Sequence, residues 1–425
     1  MSELTPVALI SYFFPPIGMA GSARAYGLFR YLPDYGYRPY VVTVKDIVYP
    51  AYDTTLLGED DEQWIVRTGS LDPSRLLRLS GKRSASIRGH GSHLSRWITP
   101  DYKRLSVPFA LRAARRVVTE KNVVLALTTS PTPSAHLIGA KLSQDSDIRW
   151  VADYRDMWVT RPIEGAYLRE SQKAHCRKLL NETCDRADEV VAVNDSIAEY
   201  VGAGTVIPNG VDPQTADYWG VSTSSDTVLR IGYLGTTDSA ETITRLAIAL
   251  SEALKLRGLN ADAACVRFVG AVDTAMLQEC FGLVGLEEAL ECAGYLPRQD
   301  AIKALADVDA LLVTIPHDLP FVTPSKVFDC LVSGKPLIAL APDRSELAKI
   351  VHDAGERVFG EDERVSLTEY LSELLQAKKE HGVCRDDATR QELMQTRREK
   401  SSWREMAKKM ACVFDDILGR KRSEL

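Results

Sequence analysis

Side chains able to do chemistry concentrate in a few short stretches of this 425-residue chain. The richest is 317–326, HDLPFVTPSK, which runs into VFDCLVSGKP. Pro324 suits a helix start, and Ser325 and Lys326 in the first turn add a hydroxyl and an ammonium to the free N–H groups at the positive end of the helix dipole. Those groups suit a diphosphate. Asp329 lies three and four residues beyond Lys326 and Ser325, on the same side of the helix, where a carboxylate can accept hydrogen bonds from two vicinal hydroxyls such as a ribose diol. A plain Lys326/Asp329 surface pair on a proline-capped helix is the competing reading.

Two other stretches bear on binding. At 18–21 (GMAG), the missing side chains of Gly18 and Gly21 let backbone N–H groups and a helix N-terminus approach an anion or a sugar, although a turn also uses glycine for geometry alone. At 153–158 (DYRDMW), Asp153, Arg155, Asp156 and Trp158 follow a strand. Carboxylates there can bond sugar hydroxyls and an indole can stack on a sugar face. Asp153 and Arg155 can equally pin the loop by bonding backbone, which leaves Asp156 as the stronger acceptor-side contact. His136 opens a helix after TTSPTPSA, where a core or capping role competes with binding, and His317 also follows a strand.

The elements that must hold these residues alternate. Strand-like runs at 6–11, 40–44, 123–128, 150–153 and 189–193 are separated by helical patterns at 22–35, 109–119, 135–142 and 172–187, with Ser22 as N-cap and Gly36 as the stop of the first helix. After a polar break at 222–226 the alternation restarts, with strands at 229–234, 266–269, 310–314 and 337–340 and helices at 241–256, 274–281, 298–305, 325–332 and 346–354. An amphipathic helical pattern closes the chain over 390–419. This grammar predicts two doubly wound parallel sheets. In such sheets ligands bind beyond the carboxyl ends of the strands, which is where these stretches fall.

Composition narrows the classes. Hydrophobic residues at 45% and charged residues at 26% exclude a disordered or collagen-like chain. A net charge of −6 gives no general case for nucleic-acid binding. No apolar run reaches membrane-span length and no signal-peptide pattern opens the chain, so a cytoplasmic protein is expected. Eight cysteines without a CxxC pair indicate neither a disulfide framework nor a zinc ribbon, and His90 with His93 reads as a loop, so no metal is expected. Residues 67–121 carry thirteen Lys or Arg against three acids. That stretch reads either as a solvated insertion or as a surface for anionic lipid at the inner face of the membrane.

YFFPPIGMAGSARAYGLFRYL, WVADYRDMW, VIPNGVD, IGYLG and TPSKVFDCLVSGKPLIAL, in this order, resemble the family 4 glycosyltransferases of the GT-B fold, the retaining, glycogen-synthase-like group, and most of all its bacterial surface-polysaccharide, WbuB-like branch. The resemblance implies an N-terminal Rossmann-like acceptor-side domain at 1–217, a C-terminal nucleotide-sugar-binding domain at 218–395, a cleft between them, and a final helix at 396–425 that crosses back to the first domain. It implies that Gly18, Gly21, Gly235, Thr236, Thr323, Ser325 and Lys326 border the donor, that Asp329 binds its ribose, that His136 lies on the acceptor side close to loop residues facing the donor sugar, and that Lys326 and Asp156 are the catalytic candidates. The first Glu of the family's E-x7-E motif is replaced by Phe321, and the basic pair after the GYLG-like strand by Thr236 and Glu241. Lys326 is then the remaining cation for the departing diphosphate. The expected activity is metal-independent, retaining transfer from a nucleoside diphosphate sugar, with no other cofactor, to a glycan, lipid-linked or small-molecule hydroxyl in surface-polysaccharide or other glycoconjugate synthesis. Two alternatives stay open: a non-catalytic transferase-like partner subunit, and a nucleotide-sugar epimerase or hydrolase on the same fold.

Overall fold

An unbroken apolar run such as that from Pro6 to Ile10 is what a strand covered on both faces requires, and it forms β1 (Thr5–Ile10) at the centre of a parallel sheet. Val7 and Leu9 face one core, with Ala25, Leu28 and Phe29 of the first helix (Ala20–Tyr31). Ala8 and Ile10 face the other, with Ala110, Leu111 and Ala114 of the helix Val107–Lys121. The computed structural model describes residues 4–18, 20–49, 51–81, 98–159, 169–219, 226–236, 239–382 and 384–420.

The chain divides into two compact units, Met1–Gly210 with Trp403–Leu425, and Val211–Ser402. In the first, β2 (Tyr37–Val44), β3 (Ile65–Thr68), β4 (Leu125–Thr129), β5 (Arg149–Tyr154), β6 (Glu189–Ala192) and β7 (Thr205–Val206) join β1 in the order β3-β2-β1-β4-β5-β6-β7, every pair parallel. In the second, β8 (Leu229–Leu234), β9 (Ala264–Val269), β10 (Leu290–Gly294), β11 (Ala310–Thr314), β12 (Leu337–Leu340) and β13 (Val358–Phe359) run parallel in the order β10-β9-β8-β11-β12-β13. These are the two doubly wound sheets expected from the alternation. Four strands escape the sequence pattern, β3, β7, β10 and β13, and they are the four sheet edges.

Two helical details also differ from the expectation. The first helix starts at Ala20, which puts Ser22 inside it and buried, while Gly36 at φ +87° ends the 3-10 turn that follows. The pattern at 390–419 is two helices, Asp387–Lys400 in the second unit and Trp403–Ile417 in the first. They part at Ser401 and Ser402 because the backbone there is taken by Val211, whose N–H donates to Ser401 O at 2.8 Å and which forms a parallel bridge with Ser402. The polar break at 222–226 lies largely outside the described residues, and the units divide earlier, at 210/211. No helix among the described residues is long and apolar enough to cross a membrane.

The last helix completes the first unit's core. Trp403, Met406, Ala407, Met410, Ala411 and Phe414 recur at helical spacing and are buried with Leu28 and Phe29. Phe414 meets the Tyr37 ring edge-on at 5.0 Å, and Tyr37 Oη donates to Asp415 at 2.6 Å. Trp403 fits because residue 27 is glycine: a Cβ there would lie 2.4 Å from the indole. Gly27→Ala is therefore expected to destabilise the first unit by about 1–3 kcal/mol, outweighing the roughly 1 kcal/mol alanine gains in a helix. Urea unfolding measures this against Gly204→Ala, whose added Cβ meets nothing within 4 Å.

Candidate functional site

Each sheet reverses its strand order once, and the loops flanking that switch point are where an open α/β sheet takes ligands. In the second unit the switch lies between β8 and β11. The loop after β8 carries Gly235 and Thr236, and the segment after β11 carries Thr323 and Ser325 before the helix Lys326–Val332. Two of these residues come together, Gly235 and Lys326: the Cβ position of Gly235 lies 3.7 Å from Lys326 Cδ. Gly235 has φ +114° and Gly270, after β9, has φ +148°. A Cβ on Gly270 would sit 2.0 Å from Gly235 O, so the two loops meet backbone to backbone.

Lys326 is held by a residue that the sequence reading passed over. Its Nζ lies 3.9 Å from the Tyr233 ring centroid and donates to Tyr233 Oη at 2.5 Å, while that hydroxyl donates to Thr236 O at 2.6 Å. The ammonium is thus fixed beside the β8 loop by a cation–π contact and a short hydrogen-bond chain. Ser325 takes the N-cap position but caps nothing with its side chain.

Asp329 is 1% exposed, and its Oδ1 accepts from Arg298 Nη2 at 2.5 Å. Burial pushes its carboxyl up from the ordinary range and the Arg298 guanidinium opposes that shift. The competing reading, a Lys326/Asp329 surface pair, is not what forms: Asp329 is a buried acid whose ion partner is Arg298, at the start of the helix Arg298–Lys303. A cation in a helix's first turn runs against the dipole, and that was the available signal for Arg298. His317 is exposed and sits 3.5 Å from Glu361.

In the first unit the switch lies between β1 and β4, and the three loops after β1, β4 and β5 share that edge. Asp153, at the end of β5, is fully buried. Its Oδ1 and Oδ2 accept from Arg24 Nη2 and Nε, both at 2.7 Å, and Oδ2 also accepts from Thr129 Oγ1 at 2.7 Å. Arg24 Nη1 reaches Pro208 O at 3.0 Å. Arg155 donates to Ala20 O at 3.0 Å and to Gly21 O at 3.1 Å, and its N–H bonds Ser130 Oγ at 2.8 Å. The loop-pinning reading describes Asp153 and Arg155: the protein's own groups bond both carboxylate oxygens of Asp153 and both Nη atoms of Arg155.

The glycine loop is pinned too. Gly18 N–H donates to Ala51 O at 3.0 Å, so it is not offered to an anion, and Gly21 lies in the first turn of its helix, where an added Cβ would meet the Phe13 ring at 3.5 Å. Trp158 is 1% exposed and packs in the first unit's core. His136 is a core histidine: its ring stacks on Tyr154 at 4.1 Å, and its Nδ1 lies 2.8 Å from Thr128 Oγ1. Burial pushes it down to about 3, so it is neutral. Asp156 is half-buried on the segment after β5.

Among the described residues, five cations of the basic stretch are ion-paired within the protein. Of its nine described Lys and Arg, Arg67 pairs with Glu62, Arg78 with Asp46, Lys103 with Asp72, Arg115 with Asp145 and Arg116 with Glu120. Lys103 is buried, with the rings of Tyr12 and Tyr102 at 4.7 and 4.2 Å. Residues 82, 83, 88, 90, 93 and 96 lie outside the described residues. Arg24→Met leaves the Asp153 carboxylate buried without its ion partner, and a loss of about 3–5 kcal/mol in unfolding free energy is expected by urea titration.

No protein-family model matches this sequence, and no curated protein does. Solved structures do. A sucrose-phosphate synthase from Thermosynechococcus elongatus is 16% identical over 98% of this chain and 99% of its own, with a TM-score of 0.65. The catalytic domain of starch synthase IV from Arabidopsis thaliana, bound to ADP and acarbose, is 11% identical over 99% and 100%, with a TM-score of 0.59. A Listeria monocytogenes protein described as a UDP-N-acetylglucosamine 2-epimerase is 10% identical over 99% and 98%, with a TM-score of 0.57. Two parallel Rossmann-like sheets matched along almost the whole chain give this protein the GT-B fold.

Proposed function

We propose that this chain is a glycosyltransferase that moves a sugar from a nucleoside diphosphate sugar to an acceptor hydroxyl, with retention of configuration. The observation that carries the reading is the Lys326 ammonium, held on Tyr233 beside Gly235 and Thr236 at the switch point of the second sheet. A starch synthase of the same fold is bound to ADP, which fits a nucleotide-binding second unit. In this reading Gly235, Thr236, Thr323, Ser325 and Lys326 receive the diphosphate, Asp329 the ribose, and Asp156 lies on the acceptor side. The acceptor belongs to surface-polysaccharide or related glycoconjugate synthesis, by the resemblance of the motifs.

As the bond from C1 to the phosphate oxygen breaks, negative charge grows on the diphosphate, and a fixed ammonium stabilises that charge more in the transition state than in the ground state. The acceptor oxygen bonds C1 on the same face, and its proton passes to the departing phosphate. The reading needs no metal.

Lys326→Ala is expected to lower turnover by at least about 10²-fold, the scale for losing one charge-stabilising donor. Near-normal turnover overturns the assignment. The donor base is found first by thermal shift with UDP, GDP, ADP, CMP and dTDP, since ligand at about 100 times its dissociation constant adds roughly 2.7 kcal/mol. The fold shared with the Listeria protein supports a second reading, conversion of the nucleotide sugar alone. Donor consumption without any acceptor, giving an epimerised nucleotide sugar, selects it.

A further inference from the structure

Two vicinal hydroxyls that both donate need an acceptor that is all acceptor, an ionised carboxylate with lone pairs on both oxygens. Asp329 is poorly placed to stay ionised by itself. It is 1% exposed, burial favours its neutral form, and the carboxylate of Asp212 pushes the same way. The neighbouring Cys330 thiol is pushed up to about 12 by burial and is neutral. From the helix Asp387–Lys400, Arg390 bonds Ser333 O and Trp219 O, and Arg397 bonds Leu331 O, Ala354 O and Glu356; these contacts gather at the far end of the helix that bears Asp329. Lys326, one turn back on that helix, is directed to Tyr233. Among the described residues, the cation in hydrogen-bond contact with Asp329 is Arg298, at 2.5 Å, and its side chain keeps 34% of its surface exposed.

We propose that Arg298 is a positioning residue for nucleotide binding: its guanidinium holds Asp329 oriented as the hydrogen-bond acceptor for the ribose hydroxyls of the donor. The proposal rests on the glycosyl-transfer reading above. Arg298 occupies one acceptor site of Oδ1, and a carboxylate offers about four, which leaves acceptor capacity for the diol on the proposed reading. Without Arg298, the buried carboxyl takes up a proton at a higher pH, and a carboxylic acid no longer accepts from both hydroxyls.

The test compares the wild type with Arg298→Gln and Arg298→Lys, measuring by calorimetry the dissociation constants of the nucleoside diphosphate the wild type binds and of its 2′-deoxy analogue, between about pH 5 and 8. In the wild type the ribose form is expected to bind better than the deoxy form, with little pH dependence. Arg298→Gln is expected to weaken the ribose form by at least about tenfold, the order for one charged hydrogen bond, to bring the deoxy-to-ribose ratio towards one, and to weaken further as pH falls. Arg298→Lys is expected to restore most of the ratio. A lowered melting temperature with an unchanged ratio and pH profile makes Arg298 merely structural and overturns the proposal. A wild type that binds none of the nucleotides overturns the transfer reading, and this inference with it.

Discussion

Arg24 and Asp153 meet inside the first unit through two hydrogen bonds of 2.7 Å, both side chains almost wholly removed from water. Burying two charges costs several kcal/mol each, and only close geometry with further hydrogen bonds offsets it. Here Thr129 and the carbonyl of Pro208 supply those bonds. The pair therefore stitches together the first helix, β4, β5 and the chain as it leaves for the second unit. Arg155 extends the arrangement by gripping Ala20 and Gly21. The edge of this sheet is thus a set of loops locked onto one ion pair.

The second unit separates two sets of fixed charges along the strands. At the amino ends, Asp309 just before β11 binds the buried Lys378 at 2.9 Å and the backbone N–H of Arg230 at 2.9 Å. At the carboxyl ends stand Lys326 on the Tyr233 ring and Arg298 over Asp329. Strand direction makes this possible: in a parallel sheet one edge gathers all the loops that follow strands.

The central strands were legible because burial on both faces writes an unbroken apolar run, as at Val7 to Ile10. The edge strands were not. LECAG at β10 and the two-residue β7 and β13 are short and partly exposed, so their sequences carry no such run. The helix at 403–417 was legible from its spacing, while its break from the preceding helix was not, because Val211 makes the break from 190 residues away in sequence. In the candidate site, Gly235, Ser325 and Lys326 were readable from turn and helix chemistry. Asp153, Arg155, Trp158 and His136 were ambiguous, since the same side chains serve a sugar or a core and only burial decides. Tyr233 looked like any apolar strand residue, and the one signal for Arg298 was a cation set against its helix dipole; their contacts with Lys326 and Asp329 exist only once β8, β10 and the helix at 326 are side by side.

The first unit is sewn from the two ends of its sequence. Trp403 and the helix behind it fill the hollow over Gly27 only after the 192 residues of Val211–Ser402 have been made. At about 5–20 residues per second, a ribosome needs on the order of 10 to 40 s to make that interval. Throughout it the nascent first unit shows Leu28 and Phe29 without the helix that covers them. The second unit, contiguous in sequence, has no such wait, so the first unit can complete its core only after the second has been synthesised.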